Sequence, residues 1–292
     1  MSFSKLLNNK FTLFVLTIIA IYLFIDAPPP LGTELKTGKL IPIESALRIL
    51  NKENEIIRHL YTKEIVGHGK KQGLKFDENW EREEIHAGLL PAQFLRMTAN
   101  YLQRSELPLG LFLGSNEAIN KSNLFEGAQL RQYKEMLTDQ KPKFSYIEDI
   151  SRYSFMFPDV ASVKPCISCH NKHKESPKTD WKIGDIMGAT TWIYPDKTVT
   201  YDELITMISL LHKGAEYAYS QALLELGYFE GDFSIAHKWP REGKFIPSAE
   251  EFAKELRLRT APITFSSIEQ LNVPQNSSPT LVPTIELALE IK

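Results

Sequence analysis

The chain has 292 residues, of which 43% are apolar and 24% charged, so wholesale disorder is excluded and one large domain with flanking extensions is implied. Its 34 basic and 36 acidic residues leave a formal charge of −2, which excludes a nucleic-acid binder that works through a basic surface. Two cysteines exclude a disulfide-rich scaffold and a four-cysteine zinc module.

The N-terminus sets the compartment. Lys5 and Lys10 precede an apolar run from Phe11 to Ile25, broken only by Thr12 and Thr17 and closed by Asp26. The run is shorter than the ~20 residues of a usual spanning helix. Leu6 and Leu7 lengthen it, and tilt or local bilayer thinning absorbs the rest. A cleaved signal peptide is the competing reading, but Ile25, Ala27 and Pro28 make a poor cleavage site. Residues 1–26 are therefore expected to be one N-terminal transmembrane helix, kept as a signal anchor. With both lysines before the run, the positive-inside rule leaves the remainder outside. The expected location is the inner membrane, single-pass, with the bulk of the chain in the periplasm.

Pro28-Pro29-Pro30 stiffens a linker over residues 27–43. Over Glu44–Val66, Ala46, Ile49, Leu50, Ile57 and Leu60 recur at helical spacing, and Gly67, Gly69 and Gly73 are expected to break that helix. A second helix is expected from Pro91, with Phe94, Met97 and Tyr101 on one stripe. Leu109–Leu113 reads as a buried strand, Glu126–Leu137 as a helix, Phe144–Phe157 as two half-exposed strands, and Ile186–Tyr194 as another strand. Thr200 and Glu203 form a capping box. It opens an amphipathic helix with Leu204, Ile208, Leu211, Ala215, Ala218 and Ala222 on its stripe, whose alanines would also suit packing in a homodimer. A short helix is expected over Ala249–Leu258, and the last thirty or so residues read as extended. The domain expected to carry the chemistry spans 44–200, followed by a C-terminal helical extension and tail over 201–292.

Both cysteines fall in Cys166-Ile167-Ser168-Cys169-His170, the attachment signature of c-type haem. Each thiol adds to one haem vinyl group, and the adjacent histidine reaches the iron as proximal ligand. From composition, the joint chance of this spacing with a following histidine is on the order of one in several thousand. A thioredoxin-like pair gains nothing from the histidine, and a zinc site needs ligands beyond Cys166, Cys169 and His170, with His173 the nearest.

Around this motif stand Leu109-Gly110-Leu111-Phe112-Leu113-Gly114-Ser115, then Ile119-Asn120, Asn123, Gly127 and Gln129, and downstream Asp185, Gly188 and Ala189. In this order the chain resembles the Tll-like domain of unknown function, a c-type haem domain with a PAS-like fold, over roughly Glu44 to Pro195. The resemblance implies an α+β fold: a PAS-like antiparallel sheet with surrounding helices, holding one haem in a sensor module or a stand-alone haem protein. It implies haem c attached at Cys166 and Cys169, with His170 as proximal iron ligand. Some relatives use an axial cysteine outside the pentapeptide, and no third cysteine exists here.

The sixth coordination position separates the functions. A second strong ligand makes an electron-transfer-like centre, and an exchangeable one admits CO, NO or oxygen. Met97, His59, His86 and Met156 are the distal candidates; His68 is read as a solvated loop residue. Two functions stand: a haem-based redox or gas sensory domain acting through a signalling partner protein, and a monohaem cytochrome c electron carrier with a redox partner. An enzyme is not expected, because no distal acid–base pair or triad is evident.

Overall fold

The computed structural model describes residues 14–17, 38–82, 84–227, 234–239 and 245–272. The chain divides into two compact units, Met1–Gly38 and Lys39–Lys292. In the first, residues 14–17 are helical and exposed, and the rest of the expected anchor lies outside the described residues. Among the described residues, no helix is long and apolar enough to cross a membrane.

The second unit begins with β1 (Ile41–Pro42) and α1 (Ile43–His59). The helix then continues through a π-helical stretch, Leu60–Val66, into α2 (Gly67–Lys71). The expected glycine break is thus corrected: Gly67 and Gly69 stay helical, and the helix stops at Gln72, before Gly73 with its φ of +97°. The reason is packing. A Cβ on Gly69 would come within 2.9 Å of the Phe76 ring, so the missing side chain makes room rather than ending the helix. The π turn suits its burial pattern, since Leu60 and Tyr61 are repeated five residues later by Ile65 and Val66, all buried. Strands β2 (Phe76–Asp77) and β3 (Gly88–Leu89) then pair in parallel and lead into α3 (Pro91–Gln103).

The main sheet follows: β4 (Gly110–Gly114), helix α4 (Gly127–Asp139), β5 (Lys143–Ile147), β6 (Arg152–Val160), helix α5 (Lys164–Lys172) and β7 (Ile186–Tyr194). Its four strands are antiparallel in the order β4-β7-β6-β5. Alternation along β6 sends Phe155 and Phe157 to one face and Ser154 and Met156 to the other. The first face joins Trp192, Leu111 and α1 in the main core. There the Trp192 indole N–H donates to Asn51 Oδ1 at 3.2 Å. The second face forms a small separate core of Phe125, Tyr133, Met136, Met156 and Ala189 beneath α4. This mixed architecture agrees with the expected α+β class.

Strand β8 (Thr198–Val199) pairs with β1 and closes the sheet domain back to its start. Thr200 caps α6 (Tyr201–Leu226) through the expected box: its hydroxyl accepts from Glu203 N at 3.2 Å, and Glu203 accepts from Thr200 N at 2.6 Å. The expected stripe is buried, with Leu204, Leu211, Ala215 and Ala218 at 0% exposure. It packs on α3 and on the other helices of the same chain, so the alanines that would suit a dimer are used internally. Short strands β9 (Ser234–Ala236) and β10 (Phe245–Pro247) pair in parallel before α7 (Ala249–Asn272).

Helix α7 corrects a second expectation. It runs through Pro262 to Asn272 rather than ending at Leu258. Its docking explains the extension: Glu53 on α1 is fully buried, accepts from the Thr264 hydroxyl of α7, and lies 2.6 Å from His212 Nε2 of α6. Stacked rings add to the core: Tyr61 of the π-helical stretch on Phe94 of α3, and Tyr219 of α6 on Phe252 of α7, 4.0 and 4.1 Å between centroids.

One backbone approach fixes the sheet register. A Cβ on Gly188 would lie 2.5 Å from the Gly114 carbonyl oxygen, and backbone cannot yield as a side-chain tip can. Gly188→Ala is expected to destabilise the fold by about 1–3 kcal/mol through overpacking, read as a lower urea midpoint at unchanged slope. An unchanged midpoint would mean that β4 and β7 pair less closely than described.

Candidate functional site

Cys166, Cys169 and His170 all lie on α5, a single nine-residue helix with Pro165 in its first turn, where a missing N–H costs nothing. The spacing i, i+3, i+4 sets the three side chains on adjoining positions of one helix surface. Both cysteines are free; Cys166 is half-buried, Cys169 exposed, and His170 half-buried. The helix is held at both ends. Before it, Ala161 exchanges backbone bonds with Asp185 O at 2.9 Å and Gly184 N at 3.0 Å. Near its end, the Asn171 amide donates to Trp181 O and accepts from Trp181 N, both at 2.9 Å. His173 Nε2 lies 3.2 Å from Glu78 Oε2, tying the end of α5 to the loop after β2.

Beneath the helix is an ion pair absent from the sequence expectations. Arg58 of α1 donates to Asp159 of β6 at 2.9 Å and to the Thr190 hydroxyl of β7 at 3.3 Å. Burial works against the guanidinium charge, but Asp159 outweighs it and holds Arg58 above its ordinary pKa. Both charges reach Cys166, and the Asp159 charge also reaches His170. Burial pushes the Cys166 thiol up, so it stays protonated although it sits in the first turn of a helix. Burial, aided by the charge of His173, pushes His170 down. Its imidazole is therefore neutral at physiological pH, the form in which a histidine nitrogen can ligate a metal.

An open concavity of about 670 Å³ flanks α5, lined by Lys70 from α2 with Lys164, Ser168, Cys169, Lys172 and His173. The distal candidates lie elsewhere or apart from this wall. Met156 is fully buried in the small core under α4. Met97 packs against the main core. His59 is exposed at the end of α1, near Lys63, Glu64 and Arg259. His86 is half-buried between a turn at Glu84–Ile85 and β3, with φ +44°. His68, expected in a loop, is inside α2 with its ring 6.4 Å from Phe245. Trp192 belongs to the main core. Trp181 is buried against α5, its indole N–H without an acceptor among the described residues.

The donor set fits the group implied by the motif. A covalent haem needs two unbridged thiols about one helical turn apart and a neutral imidazole beside the second, and α5 presents all three. A bare zinc site is not assembled: among the described residues, no three His, Cys, Asp or Glu side chains are grouped to hold a metal ion. Arg58, Asp159 and Lys70 escaped the sequence reading because they come from three separate segments and belong to no local motif.

Arg58→Met should cost about 1–2 kcal/mol, since it leaves Asp159 partly buried without its partner. A double-mutant cycle with Asp159→Asn should show that most of this loss is shared. Additive losses would mean that the two side chains do not act as a pair.

No curated protein and no solved structure matches the chain. A family model described as Tll0287-like matches residues 47–195, just over half of the chain. The matched span runs from within α1 through β7 and takes in Arg58, Asp159 and the whole of α5. The segment that builds the sheet and holds the two thiols and His170 therefore makes this chain a member of the Tll0287-like family.

Proposed function

We propose that this chain is a monohaem c-type protein, anchored by its N-terminal segment in the inner membrane, whose PAS-like domain in the periplasm senses redox poise or a diatomic gas and acts through a partner protein. The observation that carries the haem assignment is the placement of two free thiols and a neutral imidazole together on α5. Membership of the Tll0287-like family agrees with it, and the antiparallel sheet with helices on both faces supports the PAS-like reading.

The residues divide the work as follows. Cys166 and Cys169 would hold the cofactor, their thiols supplying the sulfur and hydrogen that a thioether link to each vinyl group requires. His170 offers its neutral nitrogen as proximal ligand. Arg58 and Asp159 keep α5 seated on the end of the sheet and supply a fixed pair of charges beside it. When bound, haem supplies an iron that changes between ferrous and ferric states and takes small ligands where a position is exchangeable. That Met156 and Met97 are committed to packing supports an exchangeable sixth position. The electron-carrier reading is favoured by a different observation: Cys169 is exposed, which leaves that side of the site open to a redox partner.

Two measurements test this. The variant Cys166→Ala with Cys169→Ala is expected to lose all haem that survives denaturant, and retained covalent haem would falsify the attachment. Optical spectra of the full chain, matured with haem, should shift when the reduced protein is exposed to CO. A six-coordinate spectrum indifferent to CO would replace the gas sensor by the carrier.

A further inference from the structure

The chain is slightly acidic overall, yet the surface around the exposed thiol is basic. From Val160 to Lys174 the sequence contains no aspartate or glutamate, and it includes Lys164, Lys172 and Lys174. The fold adds Lys70, brought from α2 to the same concavity as Lys164, Lys172 and Cys169. All four lysines are exposed. Among the described residues none of them makes an ion pair, whereas Lys143 and Lys178 elsewhere each meet an aspartate. Glu78, on the loop after β2, lies against His173. The folded chain thus gathers unpaired positive charge from two helices onto one concave face.

We infer that this face is the docking surface for an acidic protein partner, recognised through carboxylates that meet Lys70, Lys164 and Lys172. The inference rests on the haem reading and names the kind of partner that site takes. Charge complementarity is the first argument: like-signed, unpaired lysines around a concavity focus the field outward and select a partner of opposite sign. The second is position, because a partner seated here lies against the helix that carries the two thiols and His170.

The test uses the full chain in neutral detergent, with and without haem. The first probe is poly-L-glutamate. Binding is expected in both forms, weakening as salt rises toward 0.5 M and screening tightens, and falling about tenfold or more in Lys70→Glu/Lys164→Glu/Lys172→Glu. The milder Lys→Gln triple variant guards against misfolding and should lose an intermediate amount. A control reversal at Lys121, Lys134 and Lys141, all exposed on other elements, should bind as the parent does. The second probe needs haem. Oxidation of the reduced protein by ferricyanide, an anion, should slow as salt rises, while oxidation by the tris-phenanthroline cobalt(III) cation should quicken. The triple reversal should exchange these two trends.

Equal salt responses for the two oxidants in a haem-loaded protein, or polyglutamate binding untouched by the triple variant, would overturn the docking surface while leaving the haem assignment intact. Binding to phosphatidylglycerol vesicles that depends on the same lysines, with none to polyglutamate, would assign the face to lipid and overturn the protein partner. A chain that never acquires haem, but still binds polyglutamate through these lysines, would refute the haem reading and keep the surface.

Discussion

The ion pair between Arg58 and Asp159 joins the three parts of the molecule that the site depends on. Arg58 lies in the last turn of α1, Asp159 lies near the end of the strand that leads into α5, and Thr190 on the neighbouring strand accepts from the same guanidinium. A partly buried charge pair is useful only where its attraction outweighs the cost of desolvation. Here the charge of Asp159 outweighs the cost of burying Arg58, and the guanidinium also donates to Thr190. The consequence is geometric: α5 starts from a fixed point, so the two thiols and His170 inherit their positions from the sheet.

The sheet itself is asymmetric in use. One face supports the main core and the helices α1, α3, α6 and α7; the other carries only the small core beneath α4. Residues beyond the matched family segment are integral to the first. Helix α6 buries its apolar stripe there, and α7 is fastened by Glu53, His212 and Thr264. A fully buried carboxylate is costly to desolvate, and Glu53 is held by partners from two other helices, His212 and Thr264.

Much of the local structure was legible because it is set by short-range rules. The capping box at Thr200 and Glu203, the strand Ile186–Tyr194 and the helix from Pro91 each appear where caps, alternation and proline placement imply. The misreadings share a cause. Gly67 and Gly69 carry a local signal for a break, yet Phe76 fills the space left by the absent Cβ and the helix persists. Pro262 carries a local signal for an end, but Thr260 before it meets His212 of α6 and Thr264 after it meets Glu53 of α1, so α7 is held on both sides. In both cases tertiary packing outweighed propensity. For the methionine and histidine candidates, sequence gives only a side chain's chemistry, and packing decides which wall it lines: Met156 sits in the small core and Met97 packs on the main one.

By itself, the sequence determined the chemistry of the site. Two cysteines and a histidine within five residues are fixed neighbours along the chain, and any fold that keeps them helical sets them on one surface. It equally determined the amphipathic stripes, because helical and strand periodicities are written in neighbouring residues. Only the tertiary structure decided what surrounds that site. It placed Arg58 opposite Asp159, 101 residues away, lowered the pKa of His170 by burial, and carried Lys70 to the side of Lys164 and Lys172. Those outcomes depend on distances between segments remote in the chain, and such distances arise when the helices and sheet close on a common core.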